Sequence, residues 1–305
     1  MAFFFAGTSR RARPLFVQAT GFACKHGLSC PAVSRLRLTI LWLSAFSLVA
    51  LFYGPLFAWS PITPGFIRTT LGSVIYLHRT SRPLTLQHQR VPAEMAALER
   101  AIGLSFQGPV SVVLCDEPGD LTRFTPWLPA PPALGARTLQ FGTVVYVSPL
   151  VRDRGDAAAF IRHELVHVLL LRNTPLVSRT ALLKHWWVLE GLSVHYGNPA
   201  SYPLPRGARL TALRGQLVPT LDPDVESVPA DVTAAERYAL AGAFVGYVIE
   251  RHGADALSAF VRDLVVDPAA WRASFERHTG ESFATALVKF ERTLFRGKAA
   301  SKQLA

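Results

Sequence analysis

The chain carries no acidic residue ahead of Leu38, although six basic ones (Arg10, Arg11, Arg13, Lys25, Arg35 and Arg37) stand there. All 21 Asp and Glu lie further along, so the formal charge of +11 is concentrated in the N-terminal stretch. The remaining arginines are scattered rather than gathered into one run, which argues against a nucleic-acid partner. Cysteine is scarce as well. Three residues, Cys24, Cys30 and Cys115, cannot supply a disulfide framework, and Cys24 and Cys30 lack the second pair that a structural zinc site needs. Cys115 closes the apolar run Val110–Leu114 and is expected to be a buried strand residue. Charged residues make up only 17% of the sequence and the mean hydropathy is +0.25, which directs attention to a membrane segment.

Charge is absent altogether from Leu38–Trp59 (LTILWLSAFSLVALFYGPLFAW), a run of 22 residues. That length crosses a hydrocarbon core of about 30 Å at about 1.5 Å per residue. Core helices are seldom uncharged on every face over six turns. Gly54-Pro55 interrupts the last third, placing Tyr53 and Trp59 near an interface. A cleaved signal peptide is the rival reading. Its best cleavage position follows Ala58, but Leu56 stands where a small residue belongs, and the apolar run is longer than a signal core. An uncleaved anchor is therefore expected. Arg35 and Arg37 precede the span and the next basic residue is Arg68, so the positive-inside rule puts the N-terminus in the cytoplasm and residues 61–305 outside, periplasmic or extracellular.

The chain then divides into a basic cytoplasmic tail without fixed structure (1–37), an anchor (38–59), a Pro-containing linker with one short strand at Ser73–Leu77 (60–90), and one folded domain (91–305). Within that domain the pattern predicts an α+β fold. A helix is expected at Pro92–Ile102, a strand at Val110–Leu114, a long ordered loop over 118–142 and a strand at Thr143–Val147. Helices follow at Asp156–Arg172 and Ala181–Tyr196, then an irregular stretch over 199–231 and four C-terminal helices beginning near Ala234, Ala254, Trp271 and Phe283. The strand at Thr143–Val147 fits an edge strand that could hold an extended peptide, and equally an ordinary interior strand.

His163-Glu164-Leu165-Val166-His167 lies inside the first of the two central helices. Residues four apart share a helix face, so the two imidazoles project side by side at the spacing that a tetrahedral Zn²⁺ accepts. Glu164 can then act as general base toward a metal-bound water. Catalytic zinc takes three protein ligands, and Glu190, 23 positions after His167 and followed by Gly191, is the candidate third. A small residue there lets two helices approach closely. His185 and His195 stand five residues either side of Glu190 and point away from it, as surface or core residues. Trp186 and Trp187 suit a core better than a substrate platform, and Asp156, Arg162 and Ser193 are candidates to support the ligands. Asp153, Asp156, Arg162 and Arg172 flank the motif, which argues for a site in a folded aqueous domain rather than within the bilayer.

His-Glu-Leu-Val-His followed by Trp187-Val188-Leu189-Glu190-Gly191 resembles the gluzincin metallopeptidases (the peptidase-MA-like group) over about residues 143–197. The resemblance implies a zincin-like domain, with a small sheet packed on the motif helix and a largely helical C-terminal part. It also implies His163, His167 and Glu190 as ligands of one Zn²⁺ per chain, Glu164 as base, and a tyrosine on the helix near 238 as the donor facing the developing oxyanion. Tyr238 is the first choice and Tyr247 the second. The sequence departs from particular branches: no Gly-x-Met-Glu-Asn motif is present, Val194 stands where a thermolysin-type helix has Asp, and Leu170 and Asn173 replace the Gly and third His of metzincins. The function this implies is a membrane-anchored zinc peptidase acting on a peptide or protein. Two other readings stand beside it: a catalytically inactive metal-binding domain that scaffolds partners at the membrane, and a structural membrane protein whose motif is accidental.

Overall fold

The computed structural model describes residues 31–54, 56–124, 136–138, 144–152, 157–197, 199–213, 215–216, 219–225 and 230–301. The tail expected to lack fixed structure lies outside these residues up to position 30, as do Cys24, Cys30, Trp127, Asp153 and Asp156. The chain forms two compact units, Met1–Phe46 and Ser47–Ala305.

Helix α1 (Pro31–Tyr53) runs through the boundary between these units. It is the one helix among the described residues long and apolar enough to cross a membrane, over Arg35–Phe52. Its large side chains are bare, Trp42 at 69% and Phe46 at 73% exposure, whereas a soluble core helix would be covered. The helix is shorter at its C-terminal end than the uncharged run. It stops at Gly54, and Phe57–Trp59 forms a 3₁₀ turn with Phe57 and Ala58 buried. The helix, expected to reach Trp59, therefore ends six residues early. Phe57 stacks on Phe124 at 4.7 Å and meets Phe66 edge-on at 5.1 Å, so these apolar letters belong to a protein core.

In residues 60–90, expected to be a linker with one short strand at Ser73–Leu77, that strand is present as β2 (Val74–His78), and it pairs in a hairpin with an unexpected β1 (Ile67–Leu71). Gly72, at φ 55, opens the two-residue turn in the conformation such hairpins require. Helix α2 (Leu86–Ile102) begins well before Pro92, because Thr85 and His88 form a capping box. Pro92 inside it leaves the His88 carbonyl without its helical donor, and the buried Tyr76 hydroxyl donates to that oxygen at 2.8 Å. Strand β3 (Val110–Leu114) has the expected bounds, and Cys115 beyond it is buried. The expected loop over 118–142 contains helix α3 (Pro118–Phe124) and strand β4 (Ala136–Thr138), and β5 (Val144–Val147) follows.

The five strands form one mixed sheet in the order β1-β2-β3-β5-β4. Strands β2, β3 and β5 are parallel, with antiparallel partners at both edges. Strand β5 is thus an interior strand, and the edge beside it is β4. Val112, Leu114, Val145 and Val147 face a large core shared with the central helices, while Val113, Cys115, Val144 and Tyr146 face a smaller one built from Phe57, Phe66 and Phe124. Burial on both faces is why these strands read as unbroken apolar runs.

Short α4 (Pro149–Arg152) leads to α5 (Ala157–Asn173), the motif helix. The second central helix, expected to be continuous over Ala181–Tyr196, is broken into α6 (Arg179–Leu182), α7 (Trp186–Leu192) and a π-turn at Ser193–Gly197. The irregular stretch after it contains α8 (Gly207–Ala212). Helices α9 (Ala234–His252), α10 (Ala254–Val266), α11 (Trp271–Thr279) and α12 (Phe283–Ser301) complete the fold. Their aromatic residues Phe244, Phe260, Phe275 and Phe283 surround the fully buried Trp187. The fold is α+β with a small mixed sheet and a helical C-terminal part, as the sequence pattern predicts.

Candidate metal centre

Helix α5 has no Gly or Pro in its interior and is fixed at its C-terminal end. The Arg172 guanidinium donates to the carbonyls of Phe106 (2.7 Å), Gly108 (2.9 Å) and Pro109 (2.6 Å), while the Asn173 amide donates to Leu169 and Ser105 oxygens at 2.8 Å each. Ile161, Leu165, Val168 and Leu169 sink into the large core, which turns His163 and His167 toward α7. The rings of the two histidines lie 5.2 Å apart.

Glu190 reaches them from α7. Its Oε2 lies 3.4 Å from His163 Nε2 and 3.7 Å from His167 Nε2. Tetrahedral ligands at about 2.0–2.1 Å from one ion stand about 3.4 Å from each other, so both separations match edges of that figure. All three ligand atoms fall within 4.8 Å of one another. Glu190 Oε2 is shielded and has no hydrogen-bond partner, an expensive state for a carboxylate oxygen unless a cation or proton is shared with the imidazoles. The donor set, two neutral nitrogens and one carboxylate, suits Zn²⁺, and the residues therefore fit the metal that the sequence implies. Side-chain exposures of 7% for His163, 15% for His167 and 20% for Glu190 leave the cluster reachable from solvent.

The electrostatics agree with this geometry. Burial disfavours a protonated His167, but the carboxylates of Glu190 and Glu164 outweigh it and raise its pKa to about 9. Burial pushes the Glu190 carboxyl upward, and the two imidazoles more than reverse that, holding it well below the usual carboxylate range. Glu164 sits on α5 beside His163 and is buried at 9% exposure. The cluster is a place of concentrated demand for positive charge.

Two glycines set the approach of the elements. A Cβ on Gly191 would stand 2.7 Å from the Ala241 carbonyl oxygen, so the backbones of α7 and α9 approach this closely only because position 191 is bare. A Cβ on Gly197 would stand 2.5 Å from the His163 Cα. The Gly197 carbonyl accepts from Arg162 Nε at 2.8 Å, and Arg162 also pairs with Glu94 at 3.7 Å. Arg162 thus supports the site by tying the π-turn to α5. Ser193 is buried, its hydroxyl making no hydrogen bond.

Tyr238 lies near the site, its ring 5.5 Å from that of Tyr202, and the negative charge of Glu190 and then burial push its phenol far up. Tyr247 instead packs against Phe244 and Phe290 in the aromatic core. His185 bonds the Pro268 carbonyl at 3.0 Å and meets Trp271, a structural role, and His195 packs on Tyr196. Sequence reasoning missed Tyr202. Its ring lies 5.8 Å from that of His163 and 5.5 Å from that of Tyr238, and burial with the charges of Glu190 and Glu164 pushes its phenol up to about 12. It stands in a Pro-rich stretch without periodicity, so no pattern marked it. No protein-family model and no curated protein matches this chain.

Proposed function

We propose that the protein is a membrane-anchored, zinc-dependent peptidase of the gluzincin type, with a zincin-like domain on the extracytoplasmic side of a single N-terminal helix. The observation that carries this reading is the meeting of His163, His167 and Glu190 around one point, with Glu164 beside them. Zinc held there supplies a Lewis acid that acidifies a water and polarises a peptide carbonyl.

The remaining chemistry belongs to the chain. Glu164 accepts the proton of the attacking water and returns it to the departing amine. Tyr238, kept neutral by Glu190, offers its O–H to the oxygen that gains charge. Tyr202 packs between Tyr238 and His163 and keeps the phenol in place. Strand β4 lies against α5, and among the described residues its outer edge has no strand partner, so an extended peptide can pair there. Arg35 and Arg37, ahead of the uncharged run that begins at Leu38, support a cytoplasmic N-terminus.

Digestion of a peptide library by the full chain in detergent, with and without a chelator, tests the reading. Chelator-sensitive cleavage that disappears in Glu164→Gln, with bound zinc retained, is expected. Bound zinc with no cleavage of any peptide leaves a metal-binding scaffold instead, and zinc far below one per chain removes the site.

A further inference from the structure

Arg237 stands in the first turn of α9, directly before Tyr238. Its guanidinium carbon lies 4.2 Å above the ring of Trp186. Trp186 is one turn ahead of Glu190 on α7, so the two project from the same helix face. The charge of Arg237 is accordingly felt at Tyr238, and that of Glu190 at Arg237.

This guanidinium is not matched by a carboxylate. Among the described residues none lies within ion-pair distance of it, and its Nε is shielded with no hydrogen-bond partner. The adjacent carboxylate is already taken: Glu236 accepts from Arg209 at 2.6 and 2.8 Å and from the Thr233 amide at 2.9 Å. Three other partly buried arginines have their charge matched or their donors accepted, Arg152 by Asp116, Arg162 by Glu94 and Gly197, and Arg172 by three carbonyls. Helix stability does not explain the position either, because the first turn of a helix is the unfavourable end for a cation.

A guanidinium held over an indole ring by cation–π attraction still offers its unmatched N–H donors, in the planar fork that fits a carboxylate. We infer that Arg237, braced on Trp186, is the anchor for a carboxylate of the ligand that enters the metal centre. The carboxylate is either the free C-terminus of a peptide or an Asp or Glu side chain within it. That the ligand is a substrate rests on the peptidase reading; that it is a carboxylate does not.

The test uses the full zinc-loaded chain carrying Glu164→Gln, in detergent, and titration calorimetry with three N-acetylated pentapeptides. One has a free C-terminal carboxylate, one is its amide, and one is the amide with a single internal Glu. The acid or the Glu peptide is expected to bind about ten- to a hundredfold more tightly than the neutral amide, as a shielded charged hydrogen bond provides. Which of the two gains affinity identifies the source of the carboxylate. Adding Arg237→Gln should bring that peptide to the affinity of the amide, and Arg237→Lys should recover part of the difference. Equal binding of all three peptides overturns the proposal, as does a preference that survives Arg237→Gln in a protein whose melting curve is unchanged. If the acidic peptide binds through Arg237 while the wild type cleaves nothing, the carboxylate site stands and the peptidase reading falls. If cleavage occurs without any preference, the reverse holds.

Discussion

Gly197 presses on the backbone of His163: a methyl group at 197 would lie 2.5 Å from the His163 Cα and 2.7 Å from its amide nitrogen. The first of the proposed metal ligands is thus positioned partly by the absence of a side chain on a neighbouring element. Gly197→Ala must push α5 and the π-turn apart or distort both. A destabilisation of about 1–3 kcal/mol is expected from such overpacking, together with weaker zinc binding. Urea titration and a competitive zinc titration measure the two; unchanged values in both would show that the turn yields without moving His163.

Removal of zinc should soften the protein without unfolding it. The buried face of α5 holds that helix against the sheet whether or not an ion joins His163, His167 and Glu190. A ligand at about a hundredfold its dissociation constant stabilises by about 2.7 kcal/mol. In a domain of this size that is a rise of about 5–10 °C in melting temperature on loading. Scanning fluorimetry with and without chelator measures it, and circular dichroism should show the helical content preserved.

The two tyrosines on α9 should separate cleanly. Tyr238→Phe is expected to lower kcat about a hundredfold or more, the usual loss for one donor at a developing oxyanion, with KM changed little. Tyr247→Phe should alter turnover less than twofold, because Tyr247 packs with Phe244 and Phe290 away from the ligands. Steady-state kinetics on any peptide found in the library screen decides between them.

A buried histidine outside the site should govern part of the acid sensitivity. Burial, and then the charges of Arg152 and His78, lower the pKa of His88 to about 4 from an ordinary 6.5. A folded-state pKa below the unfolded one contributes stability that is present above about pH 6.5 and lost as the pH falls toward about 4. His88→Gln keeps the capping box with Thr85 while removing the titration. The difference in urea midpoint between wild type and His88→Gln should shift in favour of the variant across that interval, and a pH-independent difference would exclude the mechanism.

The motif helix and its two histidines were legible because everything that defines them is local: spacing, the absence of breakers, and flanking charge. Glu190 was legible through the Trp-x-x-Glu-Gly pattern, but the bareness of Gly191 serves the packing of α7 on α9 and not an approach of α7 to the motif helix. Strand β2 was legible as the short apolar run Ser73–Leu77, but its hairpin partner β1 was hidden among the prolines, and the early start of α2 by Pro92, whose cost is offset by a hydroxyl from Tyr76 that no local pattern announces. Tyr202 and Arg237 owe their places to chain segments that meet only in the folded state. Phe57 and Ala58 were misread for another reason: hydropathy does not distinguish residues bound for lipid from residues bound for a protein core.

Phe57, with Ala58, is built into the layer beneath the sheet although it lies three residues beyond Gly54. The folded domain therefore begins before the uncharged run ends at Trp59. A chimera that replaces residues 1–52 with a foreign membrane helix keeps this layer whole. One that replaces residues 1–59 strips out the ring stacked on Phe124, at a cost of about 3–5 kcal/mol for a lost buried phenylalanine. Exchange of helix α1 is tolerated only on the N-terminal side of that ring.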